Sequence, residues 1–257
     1  MRFLEDFACA LGFLTVLPLP RSPRGSPGAF GRSFGWFPAV GLLLGALLAG
    51  GSLAAGALFP APVSAALVVG LWALLTGGLH LDGLMDACDG LFAAKSPAGR
   101  LEVMSDPHPG AFGVLGAVCV LLVKYGALLS LSGGGAGSLV LALLFVPALG
   151  RWAMAAAAIL LPYGRKGRSL GGSFRLEAGR AQRFFASGWM LALLAALFSL
   201  QGAVAGAAVL AAGLAPACAF AALALRRLPG LTGDVYGALG ELAEAGALAA
   251  FAAGCCR

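Results

Sequence analysis

Seven long apolar runs set the first constraint on this chain. An α-helix needs ~20 apolar residues to cross the ~30 Å hydrocarbon core of a bilayer. Runs of that kind cover about 36–58, 62–81, 111–132, 138–161, 184–201, 203–225 and 235–254. Hydrophobic residues make up 60% of the chain and charged residues 11%, where a soluble domain carries about 25% charged residues. Water is therefore excluded as the solvent for this surface. The expected fold is an all-α polytopic bundle of about seven spans, one integral membrane domain over 1–257. The 40 glycines suit close helix–helix approach in lipid, where small residues line interfaces.

The N-terminal stretch differs from a secretory signal. Glu5 and Asp6 precede the apolar run Phe7–Leu19, and Pro18 and Pro20 end it, whereas a signal peptide wants positive charge first and a small-residue cleavage site after. The expectation is a short membrane-embedded or interfacial helix retained in the protein. The six cysteines form no CxxC pair, so apolar packing rather than a zinc site is expected.

Charges sort by connection. Arg21, Arg24 and Arg32 lie in 20–35. Asp82, Asp86, Asp89, Lys95, Arg100, Glu102 and Asp106 lie in 82–110. Arg165, Lys166, Arg168, Arg175, Glu177, Arg180 and Arg183 lie in 162–183, and Arg226, Arg227 and Asp234 in 226–234. The alternate connections near 59–61, 133–137 and 201–202 carry none. With seven spans, every charged connection falls on one face. Loops rich in Lys and Arg are cytoplasmic, so that face is expected to be cytoplasmic. Only Lys124 and Arg151 are cations deep within spans, where a charge is a functional hypothesis by default. Lys124 is expected to pair with an acid or snorkel, and Arg151 to reach a phosphate or a carboxylate.

The chemistry concentrates between His80 and Asp106. Five of the eleven acidic residues lie there, bracketed by the two histidines, His80 and His108. Asp82, Asp86 and Asp89 follow an i, i+4, i+7 spacing, which places them within a ~60° arc of a helix. Glu102 and Asp106 repeat the i, i+4 spacing. Like charges so close repel, and more strongly near lipid. A divalent cation offsets that. Mg²⁺ takes carboxylate oxygens and keeps positions open for substrate phosphates. Asp82, Asp86, Asp89 and Asp106 are candidate ligands. His80 is a candidate base, with capping of a helix end as its alternative. Asp234, Glu241 and Glu244 form a second acidic set, expected to face the same cavity as further ligands (Asp234, Glu241) or as partners of the arginines. The basic segment, with Arg165, Lys166, Arg168 and Arg175, is suited to phosphate or nucleotide, or else to setting topology and binding anionic lipid.

The motifs HLDGLMDACDGL (80–91), RLEVMSDPHPGAFGVLG (100–116), TGDVYGALGEL (232–242) and the N-terminal FLTVLPLP (13–20) resemble, in order and over nearly the whole chain, the cobalamin synthase family, adenosylcobinamide-GDP ribazoletransferase. That resemblance implies a Mg²⁺-dependent enzyme of the cell inner membrane. It joins adenosylcobinamide-GDP to α-ribazole or α-ribazole 5′-phosphate and releases GMP. Asp82, Asp86 and Asp89 would hold metal on the pyrophosphate. Glu102 and Asp106 would complete the shell or take the hydroxyl proton, with His80 a second base, and the arginines of 165–183, joined by Arg151, would contact GDP phosphates. Membrane lipids and a second copy of the chain are further partners allowed for; nucleic acid is not expected. Two alternatives compete. One is a CDP-alcohol phosphotransferase-like lipid synthase, although the Ala-Arg that follows the first Asp-Gly of that signature is replaced by Leu84-Met85. The other is a transporter using Lys124, Arg151, Glu241 and Glu244 as a relay.

Overall fold

The computed structural model describes residues 2–18, 28–165 and 180–255. Eleven α-helices follow one another among them. They are α1 (Arg2–Leu14), α2 (Ala29–Ser33), α3 (Phe37–Leu58), α4 (Ala61–Thr76), α5 (Leu79–Phe92), α6 (Pro97–Val103), α7 (Ala111–Gly133), α8 (Ala136–Leu160), α9 (Arg180–Gln201), α10 (Ala203–Arg227) and α11 (Gly233–Cys255). A 3-10 turn, Phe34–Trp36, joins α2 to α3. The described residues contain one isolated parallel bridge, Tyr163 to Leu231, and no strand. The all-α membrane bundle expected from the sequence is what the chain forms.

Among the described residues, five helical stretches are long and apolar enough to cross a membrane: Ala29–Leu58, Ala111–Gly133, Ala136–Leu160, Phe184–Gln201 and Ala203–Arg227. A sixth exists only if α4 and α5 count together, and these are bent by 89°. The bend falls at Gly77 and Gly78, with φ of 61° and 69°, a left-handed conformation that glycine adopts without the steric cost of a Cβ. The apolar run expected over 62–81 is thus cut at Thr76. The last expected span corresponds to α11, which carries Glu241 and Glu244. Packed against α5, α7, α8 and α10, α11 is the central helix of the bundle rather than a lipid-facing one.

Small residues let the backbones approach. A Cβ on Gly41 of α3 would lie 2.6 Å from Ala148 Cα and Pro147 O of α8. Gly45, four residues on, meets the same helix at Leu143 and Leu144. This is the small-xxx-small arrangement by which helices associate in lipid through van der Waals contact. The outer face stays apolar: Leu58 is 75% exposed, Leu74 71% and Val204 87%. At the N-terminus, Arg32 Nε donates to both Asp6 oxygens at 3.1 Å, and Val16 N–H donates to Leu75 O at 2.9 Å. These bonds dock α1 onto α2 and the end of α4, which brings Phe13 to the head of α5.

Candidate active site

Helices α5 and α11 cross at glycine. A Cβ at Gly83 would sit 2.9 Å from Asp234 O, and one at Gly237 would sit 3.2 Å from His80 Cα and O. Hydrogen there lets the two backbones touch and sets His80 and Asp82 beside Asp234. The far end of α5 is held by cations, as free helix-terminal carbonyls favour. Arg227 Nη1 donates to Leu91 O at 2.7 Å, and Arg100 Nη1 donates to Leu91 O and, at 3.2 Å, to Gly90 O.

Two cavities meet on α5. The first, about 280 Å³, is lined by Phe13, Phe34, Phe37, Leu79, His80, Asp82, Gly83, Met154, Tyr163, Arg165, Gly233, Asp234, Tyr236 and Gly237. The second, about 340 Å³, is lined by Asp82, Met85, Asp86, Met104, Ser105, Asp106, Pro107 and Pro109. Asp82 belongs to both. One is largely aromatic and the other acidic.

The basic segment starts at the edge of the first cavity. Leu231 N–H donates to Pro162 O at 2.7 Å and Gly164 N–H donates to Leu231 O at 2.8 Å, pinning 162–164 to the start of α11. Arg165 Nη2 then reaches Asp234 Oδ2 at 2.9 Å, and the Thr232 hydroxyl donates to the same oxygen at 3.1 Å. At 14 residues, α5 is about 21 Å long, too short to span a ~30 Å core alone, and it lies outside the five stretches long and apolar enough to cross. Partial burial and the charges of Asp82, Asp234 and Asp89 push the Asp86 carboxyl up to about 6, against the pull of Arg165. Asp106 goes the other way. Its Oδ1 accepts from the His108 N–H at 3.0 Å and faces the His108 ring at 2.8 Å, holding its carboxyl below the usual range.

Several expected site residues are used elsewhere. Asp89, on the acidic face as expected, accepts from Gly110 N–H at 2.7 Å and Gly113 N–H at 2.8 Å. It caps the N-terminus of α7, where free N–H groups favour a carboxylate, and a Cβ on either glycine would overlap it. Glu241, seven residues and about 10 Å along α11 from Asp234, does not line the Asp82 cavities. It accepts from Lys124 Nζ at 2.7 Å. Lys124 also donates to Glu244 at 2.5 Å, and Glu244 in turn binds Arg151. Arg151, 1% exposed, therefore meets a carboxylate, one of the two partners expected for it. The four charges close on one another. Glu102 is exposed on α6 and lines neither cavity. Lys166, Arg168 and Arg175 lie outside the described residues.

His80 is buried, and its Nδ1 lies 3.4 Å from Arg151 Nη2. Arginine only donates, so Nδ1 is the acceptor and the proton of a neutral ring sits on Nε2. The structure thus places His80 beside Arg151 at the head of α5. The aromatic lining was missed in the sequence. A signal was available, since two of the chain's three tyrosines, Tyr163 and Tyr236, line this cavity, and Tyr236 lies inside the third motif.

Among the described residues, no three His, Cys, Asp or Glu side chains group closely enough to hold a metal ion by themselves. Asp82, Asp86 and Asp106 instead share an open cavity as oxygen donors. This set fits an ion that binds one or two carboxylates and completes its shell with water and substrate phosphates, the usual mode of Mg²⁺.

A family model described as cobalamin-5-phosphate synthase matches residues 6–252. The chain is 38% identical over 238 residues to an adenosylcobinamide-GDP ribazoletransferase of Desulfitobacterium hafniense (strain Y51), covering 91% of each chain. It is 41% identical over 245 residues to one of Ectopseudomonas mendocina (strain ymp), covering 95% of this chain and 96% of the relative. Against one of Thermosynechococcus vestitus (strain NIES-2133 / IAM M-273 / BP-1) it is 39% identical over 252 residues, with 97% of both covered. No solved structure matches. With the motifs in order and the match nearly end to end, the chain belongs to the cobalamin-5-phosphate synthase family and is a multi-pass membrane enzyme of cobalamin synthesis.

Proposed function

We propose that this protein joins adenosylcobinamide-GDP to α-ribazole, or to α-ribazole 5′-phosphate, and releases GMP in a Mg²⁺-dependent reaction at the cytoplasmic face of the inner membrane. The observation that carries this reading is Asp82, shared by an aromatic cavity and an acidic one. Phosphoryl transfer requires chiefly that nucleophile and phosphate be brought together and their charge neutralised. When bound, Mg²⁺ would neutralise the pyrophosphate and stabilise the departing oxygen.

In this account Asp82 and Asp86 would hold the ion, with Asp106 lining the same cavity. A ribose hydroxyl oxygen bonds to the phosphorus attached to cobinamide. The bond from that phosphorus to the bridging oxygen breaks, and its electron pair leaves with GMP. Asp82, standing where the two cavities meet, takes the hydroxyl proton. Arg165, at the edge of the aromatic cavity, would face the departing nucleotide. The one-sided distribution of Lys and Arg supports the cytoplasmic orientation, and the near end-to-end family match supports a single domain over 1–257.

The test is direct. The protein, purified in detergent and supplied with adenosylcobinamide-GDP, α-ribazole and Mg²⁺, should form GMP in step with the joined product. Turnover of a CDP-activated lipid, with no GMP from the corrinoid donor, would replace this reading by a lipid synthase.

A further inference from the structure

We infer that Asp234 is a positioning residue: it holds the Arg165 guanidinium at the boundary of the two cavities, where the remaining N–H groups take the donor's pyrophosphate. This rests on the reaction proposed above, and it gives Asp234 a task other than the metal ligation expected from its spacing.

Two touching backbones bring the pair together. The hydrogen bonds between 162–164 and Leu231 set Arg165 beside the first turn of α11. The approach needs glycine on both sides: a Cβ on Gly164 would lie 2.4 Å from Gly230 O, and one on Gly230 would lie 2.6 Å from Tyr163 C. Asp234 is aimed from within its own helix. The buried Thr232 hydroxyl accepts from Val235 N–H at 3.3 Å, as an N-cap does, and donates to Asp234 Oδ2 at 3.1 Å. Arg165 Nη2 donates to that same oxygen at 2.9 Å and to Met104 O at 3.4 Å. Met104, at the end of α6, is itself wedged against Gly90 of α5. The guanidinium is thus tied to α11 on one side and to α6 on the other.

Those ties fix where the cation stands. Arg165 lines the aromatic cavity, and Met104, which it touches, lines the acidic one. A guanidinium carries five N–H donors in a rigid fork that suits phosphate oxygens. Among the described residues only its Nη2 is engaged, so Nη1 and Nε remain for an anion. The side chains of Arg165 and Asp234 are 31% and 25% exposed, open enough for a ligand to reach. An arginine already held in one rotamer loses less freedom when it binds than one waving in solvent. Asp234 is less suited to a metal. Its Oδ2 accepts from two donors, and it does not line the cavity where Asp82, Asp86 and Asp106 gather. To ligate an ion through that oxygen it would have to give up Arg165.

The experiment measures GMP release by the full-length enzyme in detergent, with adenosylcobinamide-GDP varied. It compares wild type with Arg165→Ala, Asp234→Ala, Asp234→Asn and the double alanine variant. Each single alanine should raise the donor KM by about tenfold or more, the scale of one charge-assisted hydrogen bond, and leave the acceptor KM unchanged. Asp234→Asn keeps an oxygen acceptor without the charge and should raise the donor KM less, by about threefold. The double variant should be no worse than Arg165→Ala, because Asp234 acts through Arg165; the same coupling is read with Asp234→Asn if the alanine variant does not fold. Half-saturating Mg²⁺ should stay at the wild-type value throughout. Additive defects, or a raised Mg²⁺ requirement in an Asp234 variant, overturn the inference. So does a donor KM that is unchanged or lowered in Asp234→Ala. Release of no GMP by wild type would instead reject the reaction itself.

Discussion

Replacing Lys124 by methionine probes how the interior of α11 tolerates two carboxylates. Lys124 is 3% exposed and donates to Glu241 at 2.7 Å and Glu244 at 2.5 Å, 4.2 Å from the centroid of the Trp72 ring. Lys124 and Arg151 carry two positive charges against two negative ones, so the cluster is neutral. Methionine fills a similar volume but leaves the cluster with one net negative charge and Glu241 with no cation. Breaking a buried pair from one side costs about 3–5 kcal/mol, because the remaining charge stays desolvated. For a chain of this size that is roughly 10 °C in melting temperature. The charge-balanced pair Lys124→Met with Glu241→Gln keeps Glu244 on Arg151 and should recover most of the loss, a coupling readable as a double-mutant cycle. The assay is thermal melting in detergent followed by helix circular dichroism. A single variant that melts with wild type, or a double variant less stable than the single, would refute the reasoning. Glu241→Gln should also leave the Mg²⁺ concentration for half-maximal activity unchanged, since Glu241 serves Lys124 and not the ion.

Two other outcomes follow from the carboxylates of α5. Asp89→Ala removes the cap on α7 and should cost about 0.5–2 kcal/mol, seen as a lower melting temperature with the Mg²⁺ requirement unchanged; a raised requirement would make Asp89 a ligand after all. Asp86 is raised from 3.8 to about 6, so the folded protein holds its proton more tightly than the unfolded chain. Without metal, the contribution of Asp86 to stability should therefore be fullest below about pH 4 and decline as pH rises through about 6. Metal competes with that proton, so half-saturating Mg²⁺ should rise about tenfold between pH 7 and pH 5; a flat profile measured by GMP release would remove Asp86 from the ion.

Much of this arrangement was legible in the sequence. Runs of apolar residues broken by one-sided charge gave the bundle, and the i, i+4 pair Asp82 and Asp86 gave the acidic cavity. What escaped depends on where side chains end, which spacing does not encode. Asp89 shares the face of Asp82 and Asp86, yet its carboxylate turns to the free N–H groups of Gly110 and Gly113, 21 and 24 residues away. Glu241 shares the face of Asp234 but sits two turns deeper, where Lys124 from α7 reaches it. The aromatic chamber draws on α1, α3, α8 and the start of α11, segments that no local periodicity joins. The run over 62–81 read as a plain span because its interruption lies in two backbone angles at Gly77 and Gly78, not in hydropathy.

The central claim is that Asp82 brings a metal-bound pyrophosphate and an acceptor hydroxyl together. The rate of GMP release by the purified enzyme, titrated with Mg²⁺ for wild type and Asp82→Asn, addresses it most directly. Wild type should fall to background in chelator and recover with added Mg²⁺. Asp82→Asn should stay at least a hundredfold slower at saturating Mg²⁺, with its melting temperature kept. Turnover by wild type in chelator, or near-normal GMP release by Asp82→Asn, would contradict the account.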